Sequence, residues 1–98
     1  MPREESVTIV VYSKPSCVQC DAVKRKLKQE GADFTVVDVS LPENEGDLLA
    51  LKELGYGGVP VTMVNDHHFK GYDVNEIADA VARQRRTSMR LVEESAVA

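Results

Sequence analysis

The only two cysteines of this chain, Cys17 and Cys20, are separated by two residues and directly follow an apolar run from Val7 to Tyr12. A strand that ends before this pair and a helix that begins on it would place Cys17 at a helix N-terminus. There, unpaired N–H groups and the helix dipole favour an anion. Such an environment lowers a thiol pKa below its ordinary value of about 8.5, and Lys14 is close enough in sequence to add a positive charge. The pattern therefore predicts a dithiol that cycles through a disulfide.

Two other uses of the cysteine pair remain open. The thiols could form half of a zinc site with His67 and His68, the only imidazoles of the chain. Neighbouring side chains of an extended segment point to opposite faces, which disfavours joint ligation, so we expect no metal site. A permanent structural disulfide is disfavoured because closing so small a loop removes little entropy from the unfolded chain.

Length and charge limit the remaining function classes. The 98 residues suit a single domain, and we expect a core over residues 7–86 and a frayed tail over residues 87–98. A formal net charge of −4 disfavours nucleic-acid binding. The start, Met1–Glu5, lacks an apolar targeting segment, and no run approaches the ~20 apolar residues that span a bilayer. We expect a cytoplasmic monomer, and a reducing compartment favours a catalytic CxxC pair over a structural one.

The first half of the chain reads as a βαβ unit. After the first strand, residues 18–30 predict a helix with Val23 and Leu27 on one side and Gly31 as its left-handed cap. Residues 34–39 predict a second strand, which should run parallel to the first because a helical crossover joins them.

The second half continues this alternation. Residues 44–54 predict a helix with an apolar stripe of Leu48, Leu51 and Leu54, or Leu49 in its place, and with Gly55 as its stop. Residues 61–64 and 67–70 predict a hairpin around Asn65-Asp66. The final helix is expected to start at Asp73, with Glu76 completing a capping box. Its apolar positions are Ile77, Ala78, Val81 and Ala82.

The order β-α-β-α-β-β-α predicts an α/β fold, with a four-stranded mixed sheet flanked by three helices and Cys17 at the end of the first strand. At this point the chain resembles the thioredoxin superfamily and, more narrowly, the NrdH-redoxins, which are glutaredoxin-like proteins. The resemblance rests on Val11–Cys20, with its CVQC form, and continues through Val37–Ser40, Leu54–Tyr56 and Val59–Val61. It covers approximately residues 7 to 82.

The resemblance implies a thioredoxin/glutaredoxin fold and a role in thiol-disulfide exchange. Cys17 would be the nucleophile and Cys20 the resolving thiol. Pro60 would follow a cis peptide bond, and the backbone of Val59 would pair with an extended substrate segment. No cofactor would be bound besides the redox-active disulfide. Electrons would pass from NADPH through a thioredoxin reductase to a protein disulfide, that of ribonucleotide reductase by family resemblance.

Residues 69–74 depart from the family pattern. NrdH-redoxins usually carry Trp-Ser-Gly-Phe-Arg-Pro there, whereas this chain has Phe-Lys-Gly-Tyr-Asp-Val. Phe69 and Tyr72 retain the aromatic positions and favour a reductase contact. Gly71, Tyr72 and Asp73 also match the Gly-Gly-x-Asp of glutaredoxins apart from its first glycine, and that aspartate helps hold the amino group of glutathione. A capping role explains Asp73 without any ligand.

Two alternative functions therefore remain open. One is a glutaredoxin that depends on glutathione or on another low-molecular-weight thiol. The other is a redox-sensing interaction module, whose disulfide changes its binding to a partner.

Overall fold

The computed structural model describes the backbone of residues 7–97 and the side-chain surroundings of residues 7–87. In this range the strands are β1 (Ile9–Ser13), β2 (Thr35–Asp38), β3 (Val61–Val64) and β4 (His67–Lys70), and the α-helices are α1 (Val18–Gln29), α2 (Glu45–Glu53) and α3 (Val74–Val97). A short 3-10 helix, Pro42–Asn44, precedes α2. The element order is the predicted one. The expectation about a targeting segment concerns Met1–Glu5, which lie outside the described residues.

The four strands form one mixed sheet in the order β2-β1-β3-β4. β1 pairs in parallel with β2, whereas β1 with β3 and β3 with β4 are antiparallel. Ser13 and Asp38 are register partners, so β1 and β2 end at the same edge of the sheet. β3 begins and β4 ends there too, since Val61 pairs with both Tyr12 and Lys70. The predicted thioredoxin/glutaredoxin fold is confirmed, and four chain segments meet at this edge.

Helices cover both faces of the sheet. α1 and α3 pack on one face, where their buried side chains form a core with β1, β3 and β4: Ile9, Val11, Val23, Leu27, Val64, Phe69, Ile77, Ala80 and Val81. On the other face Leu51 of α2 packs with Val39 and Val61. Alternate strand residues point to opposite faces, which is why one sheet supplies both cores.

The apolar stripe of α2 is only partly as expected. Leu51 is buried and Leu48 packs against its cluster. The prediction was wrong for Leu54 and Leu49, which are 45% and 52% exposed. Leu54 is the C-cap residue, beyond the last turn of the helix. Leu49 is two positions from Leu51, and residues at that spacing do not share a helix face.

Helix α1 ends as the sequence predicts, with Glu30 as its C-cap residue. Gly31 adopts φ +74°. Its N–H donates to the carbonyl of Lys28 over 3.1 Å, and the N–H of Ala32 donates to the carbonyl of Leu27 over 3.0 Å. This is a Schellman motif, which satisfies carbonyls that the helix end would leave unpaired.

The β3–β4 hairpin turns at Asn65-Asp66, as predicted, and Asn65 adopts φ +55°. The Asn65 side chain accepts a hydrogen bond from the N–H of Thr8 over 2.9 Å, and its own N–H donates to the carbonyl of Thr8 over 3.0 Å. The turn is thereby tied to the chain just before β1. His67 and His68 then face opposite sides of the sheet, since they pair with Val64 and Met63, which belong to different cores.

Helix α3 is capped by Asp73, whose Oδ1 accepts from the N–H of Glu76 over 3.1 Å. In a capping box the side chain of Glu76 would accept a hydrogen bond from the N–H of Asp73. Here Glu76 Oε1 instead lies 2.9 Å from Nε2 of His67 on β4. Ala80, rather than the expected Ala78, shares the buried face with Ile77, since positions three and four apart share a helix face and adjacent ones do not.

Helix α3 also continues past its expected end. Its backbone is helical to Val97, and no glycine or proline follows Ala82 to stop it. Gln84 anchors it to the segments that precede β1 and β2, because its Nε2 donates to the carbonyls of Val7 and Asp33 over 3.0 and 2.9 Å. The side chains of residues 88–98 lie outside the described residues, and fraying of this tail stays a prediction. None of the helices among the described residues has the length and apolarity needed to cross a membrane.

We expect Asp73→Ala to lower the free energy of unfolding by about 1 kcal/mol, because α3 loses its N-cap acceptor. Urea denaturation followed by circular dichroism measures this loss. Asp73→Asn is the matched control, since asparagine caps as well as aspartate and should retain most of the stability. Equal losses in the two variants would contradict a capping role.

A second prediction concerns Asp38, whose pKa is lowered because the hydroxyl and N–H of Ser40 both donate to its carboxylate, with a smaller contribution from the charge of Lys24. A carboxyl pKa depressed by folding stabilises the protein above the unfolded value of about 3.9, and this contribution is lost as pH falls through the folded pKa. We therefore expect the difference in the free energy of unfolding between the native chain and Asp38→Asn to become smaller as the pH falls below about 3.9. In Ser40→Ala, a carboxyl titration by NMR should show the pKa of Asp38 moving back towards its ordinary value.

Candidate active site

Cys17 and Cys20 form a disulfide at the start of α1, with their Cα atoms 5.2 Å apart. Cys17 is the N-cap residue of the helix, with extended φ and ψ of −121° and 106°. Its Sγ accepts a hydrogen bond from the backbone N–H of Cys20 over 3.2 Å. A cysteine in the N-cap position thus presents its sulfur to a free helical N–H group, and the same group would stabilise a thiolate after reduction.

The two sulfurs are unequally accessible. Cys20 is completely buried on the core side of α1, where Val23 and Leu27 follow it along the helix. Cys17 is only half-buried, and the residue after it, Val18, is 84% exposed. An incoming molecule can therefore approach Cys17, whereas Cys20 is closed to it.

Val59 and Pro60 lie beside the disulfide. The peptide bond between them is cis, which is the conformation that the family resemblance implies. The carbonyl oxygen of Val59 is 4.0 Å from Cys17 Sγ. Within the described part of the chain, neither the N–H nor the carbonyl of Val59 has a backbone hydrogen-bond partner. The next carbonyl, that of Pro60, accepts from the N–H of Gly71 over 2.9 Å.

Gly71 follows β4 directly and touches the CxxC segment. It adopts φ +82°, and a Cβ at this position would lie 3.4 Å from Oε1 of Gln19. A side chain here would be strained by the left-handed backbone, whereas its contact with Gln19 would be an ordinary van der Waals contact. Beyond Gly71 the side chains face solvent, with Tyr72 42% exposed and Asp73 also exposed.

The candidate site residues therefore fall into two groups. The structure brings Cys17, Cys20, Val59, Pro60 and Gly71 together at one edge of the sheet. Lys14, Tyr72 and Asp73 are at exposed positions on the connecting segments. Among the described residues, Lys14 makes no ion pair.

Neighbouring groups influence the charge of Asp21 and the ionisation of Tyr12. Asp21, in the first turn of α1, lies 3.5 Å from Lys24, which weakens its opposition to a thiolate. On the other face, burial raises the pKa of the Tyr12 hydroxyl, and the negative charge of Asp47 raises it further.

In residues 7–87 we find no cluster of three or more His, Cys, Asp or Glu side chains that could bind a metal ion.

Sequence reasoning missed several residues at this edge. Ser16 adopts φ +58° and turns the chain into Cys17. Oε1 of Gln19 lies 3.4 Å from where a Cβ on Gly71 would be, and Nζ of Lys70 lies 3.9 Å from where a Cβ on Gly58 would be. Gln19 lies inside the CVQC motif, so its proximity could have been anticipated. The position of Lys70 depends on the register of β4, and no local pattern reveals it.

Comparisons with known proteins agree with this geometry. The glutaredoxin family model matches residues 9–69. The glutaredoxin-like protein NrdH of Salmonella typhimurium is 33% identical over 66 residues, which cover 67% of this chain and 79% of the relative. The N-acetyl-S-hydroxy-L-cysteine reductase of Bacillus subtilis is 41% identical over 58 residues, which cover 59% of this chain and 61% of that enzyme.

Solved structures point the same way. NrdH-redoxin of Escherichia coli, described as a glutaredoxin-like protein with a thioredoxin-like activity profile, superimposes with a TM-score of 0.69 at 29% identity. The match covers 74% of this chain and 92% of that structure. Fold, disulfide and sequence agree, and the chain belongs to the glutaredoxin family as a glutaredoxin-like redox protein similar to NrdH.

Proposed function

We propose that this protein is a dithiol reductase that carries electrons from a thioredoxin-reductase-like donor to a protein disulfide, with that of ribonucleotide reductase as the expected acceptor. The unequal burial of its two sulfurs is the observation that carries this proposal. Cys17, the N-cap residue of α1, is partly exposed and can contact a partner, whereas Cys20 is completely buried. The protein works as a monomer and binds no cofactor of its own.

The first step uses the reduced protein. The Cys17 thiolate attacks one sulfur of the substrate disulfide, so that a Cys17–substrate bond forms and the substrate S–S bond breaks. The second substrate sulfur leaves as a thiolate and takes a proton from water. The helix N-terminus favours the attacking anion, and a substrate segment lying along Val59 would be held by backbone hydrogen bonds.

The second step releases the substrate. Cys20 loses its proton and attacks Cys17 Sγ, which forms the intramolecular disulfide and expels the remaining substrate sulfur as a thiolate. Two electrons have then passed to the substrate. The Cys17–Cys20 disulfide is the oxidised state of this cycle, and the donor reductase returns it to the dithiol with electrons from NADPH.

Exposed apolar side chains on the chain segments that carry the site support a protein donor. Val18, Tyr72 and Val74 are 84%, 42% and 52% exposed, and all three lie close in sequence to the residues of the site. Large exposed apolar residues that cluster at a site are typical of protein contact surfaces. Phe69 cannot contribute, contrary to expectation, because it is only 6% exposed within the α1/α3 core.

A donor of low molecular weight is the second candidate. Lys70 Nζ lies close to Gly58, next to the backbone of Val59, and offers a cation to a carboxylate there. Asp73 is exposed and could bind an amino group. Against this, the Oδ1 of Asp73 already caps α3, which explains the residue without a ligand. The name of the Bacillus subtilis relative also indicates that a member of this group can act on a small sulfur compound.

The two cysteines should behave differently when each is replaced. We expect Cys17→Ser to abolish disulfide reduction, because it removes the attacking thiolate. Cys20→Ser should accumulate a mixed disulfide between Cys17 and the substrate, because the resolving thiol is missing. Mass spectrometry detects the adduct, and each variant serves as the control for the other.

Full turnover by Cys20→Ser without an added thiol would contradict the dithiol mechanism. A second result would exclude the role of an electron carrier. If the native chain coupled to a reductase consumed only one equivalent of NADPH with substrate in excess, the protein would be a redox sensor that switches once.

The identity of the donor is tested by NADPH consumption. We expect efficient turnover with thioredoxin reductase, and little with glutathione plus glutathione reductase, because the site offers few cations for the two carboxylates of glutathione. Asp73→Ala should leave the rate with thioredoxin reductase unchanged while it lowers the melting temperature. Asp73→Asn is the matched control that retains the cap.

The opposite pattern would identify a glutathione-dependent enzyme. This pattern is efficient turnover with glutathione that is lost in both Asp73 variants, including Asp73→Asn with its native melting temperature.

A further inference from the structure

The segment that presents Val59 to a partner, residues 56–60, is here called the Val59 loop. Its centre, Gly57-Gly58, is exposed and brings no side chains that could pack against the protein. Ordering a backbone segment costs free energy for every residue fixed, and these two residues contribute no packing in return. The conformation of the loop must therefore be set by the contacts at its two ends.

The far end of the Val59 loop is held by the backbone. The carbonyl of Pro60 accepts from the N–H of Gly71, which directly follows β4, over 2.9 Å. Pro60 itself is buried, and the side chain of Val59 packs against the cluster of Val39, Leu51 and Val61. This end is thus tied to β4 and to the core under α2.

The near end is held by a backbone bond and by a side-chain contact. The N–H of Tyr56 donates to the carbonyl of Leu51 in α2 over 3.1 Å. The hydroxyl of Tyr56 lies 2.7 Å from Nδ1 of His68 in β4, and the two rings meet edge to face with centroids 5.5 Å apart. In the neutral histidine that carries its proton on Nε2, Nδ1 accepts from the hydroxyl. Both side chains are half-buried, which shields this bond from competing water.

We propose that Tyr56 and His68 are positioning residues for substrate recognition. Together with the backbone bond of Tyr56, their hydrogen bond fixes the near end of the Val59 loop to β4, close to Gly71, which holds its far end, and so holds the backbone of Val59 in place beside Cys17. This inference rests on the proposed reductase function, because it assigns the loop to the recognition of an extended protein substrate. A small disulfide that makes no backbone contacts does not need the loop.

The neighbouring histidine provides a control. His67 faces the opposite side of β4, and its Nε2 lies 2.9 Å from Glu76 of α3. It shares the strand and the chemistry of His68 but does not touch the Val59 loop. A substitution at His67 reports what loss of a β4 histidine does to the fold alone.

The test compares Tyr56→Phe and His68→Phe, which keep a planar ring and remove the hydrogen bond, with His67→Phe. Each protein is reduced beforehand, freed of reductant and mixed with excess insulin or with the disulfide of mercaptoethanol in single turnovers. We expect the half-saturating insulin concentration to rise about 3- to 10-fold in the two test variants, the range for loss of one hydrogen bond. The limiting rate and the reaction with the small disulfide should stay unchanged.

Two further variants separate positioning from general damage. His68→Asn places an oxygen near the position of Nδ1 and should restore most of the native half-saturating concentration. The double variant Tyr56→Phe/His68→Phe should lose no more than either single variant, because both remove the same bond. Amide hydrogen exchange at Tyr56 and Gly71, whose N–H groups donate to the carbonyls of Leu51 and Pro60 at the two ends of the loop, should accelerate in the Phe variants and not in His67→Phe.

The outcomes are distinct for the function and for this inference. If reduced native protein does not reduce insulin, the proposed function is overturned, and hydrogen exchange alone decides whether the pair holds the loop. If native protein is active but Tyr56→Phe and His68→Phe behave like His67→Phe in both measurements, the positioning role is overturned and the function stands. Equal losses with insulin and with the small disulfide would also overturn it.

Discussion

The packing of α1 and α3 against a single face of the sheet determines where the disulfide lies. Leu27 and Val23 of α1 meet Ile77 and Val81 of α3 over β1. Full burial of a side chain such as Leu27 contributes about 1.5–3 kcal/mol, so this layer is a main source of stability. Both helices start at the edge where β1 and β4 end, so the disulfide at the start of α1 lies close to Gly71, which precedes α3.

Local patterns predicted those parts of the fold that local physics determines. Helix α1 ends at Gly31 and the hairpin turns at Asn65 because both residues adopt left-handed backbone angles that few residue types accept. The predictions from sequence were wrong where contacts between distant elements determine the structure. Glu76 contacts His67 on another element, and α3 extends past Ala82 through Gln84, which is hydrogen-bonded to Asp33.

The candidate site divides in the same way. The CxxC pair and Pro60 are visible because motif and spacing encode them. The contact of Lys70 with Gly58 and that of His68 with Tyr56 are not encoded by spacing. They result from the register of β4 on β3, which brings two side chains of an edge strand under a loop that precedes the hairpin. Sequence reasoning identified the reacting atoms and missed part of what surrounds them.

The complete burial of Cys20 has a consequence for how two macromolecules share this small domain. Only Cys17 faces outward, so in the proposed cycle the electron donor and the acceptor must approach the same sulfur from the same side. One partner has to leave before the other can dock, and no complex of all three proteins can form. Steady-state kinetics would then follow a double-displacement pattern. An excess of either partner would slow the reaction of the other, because both bind the same surface around Cys17.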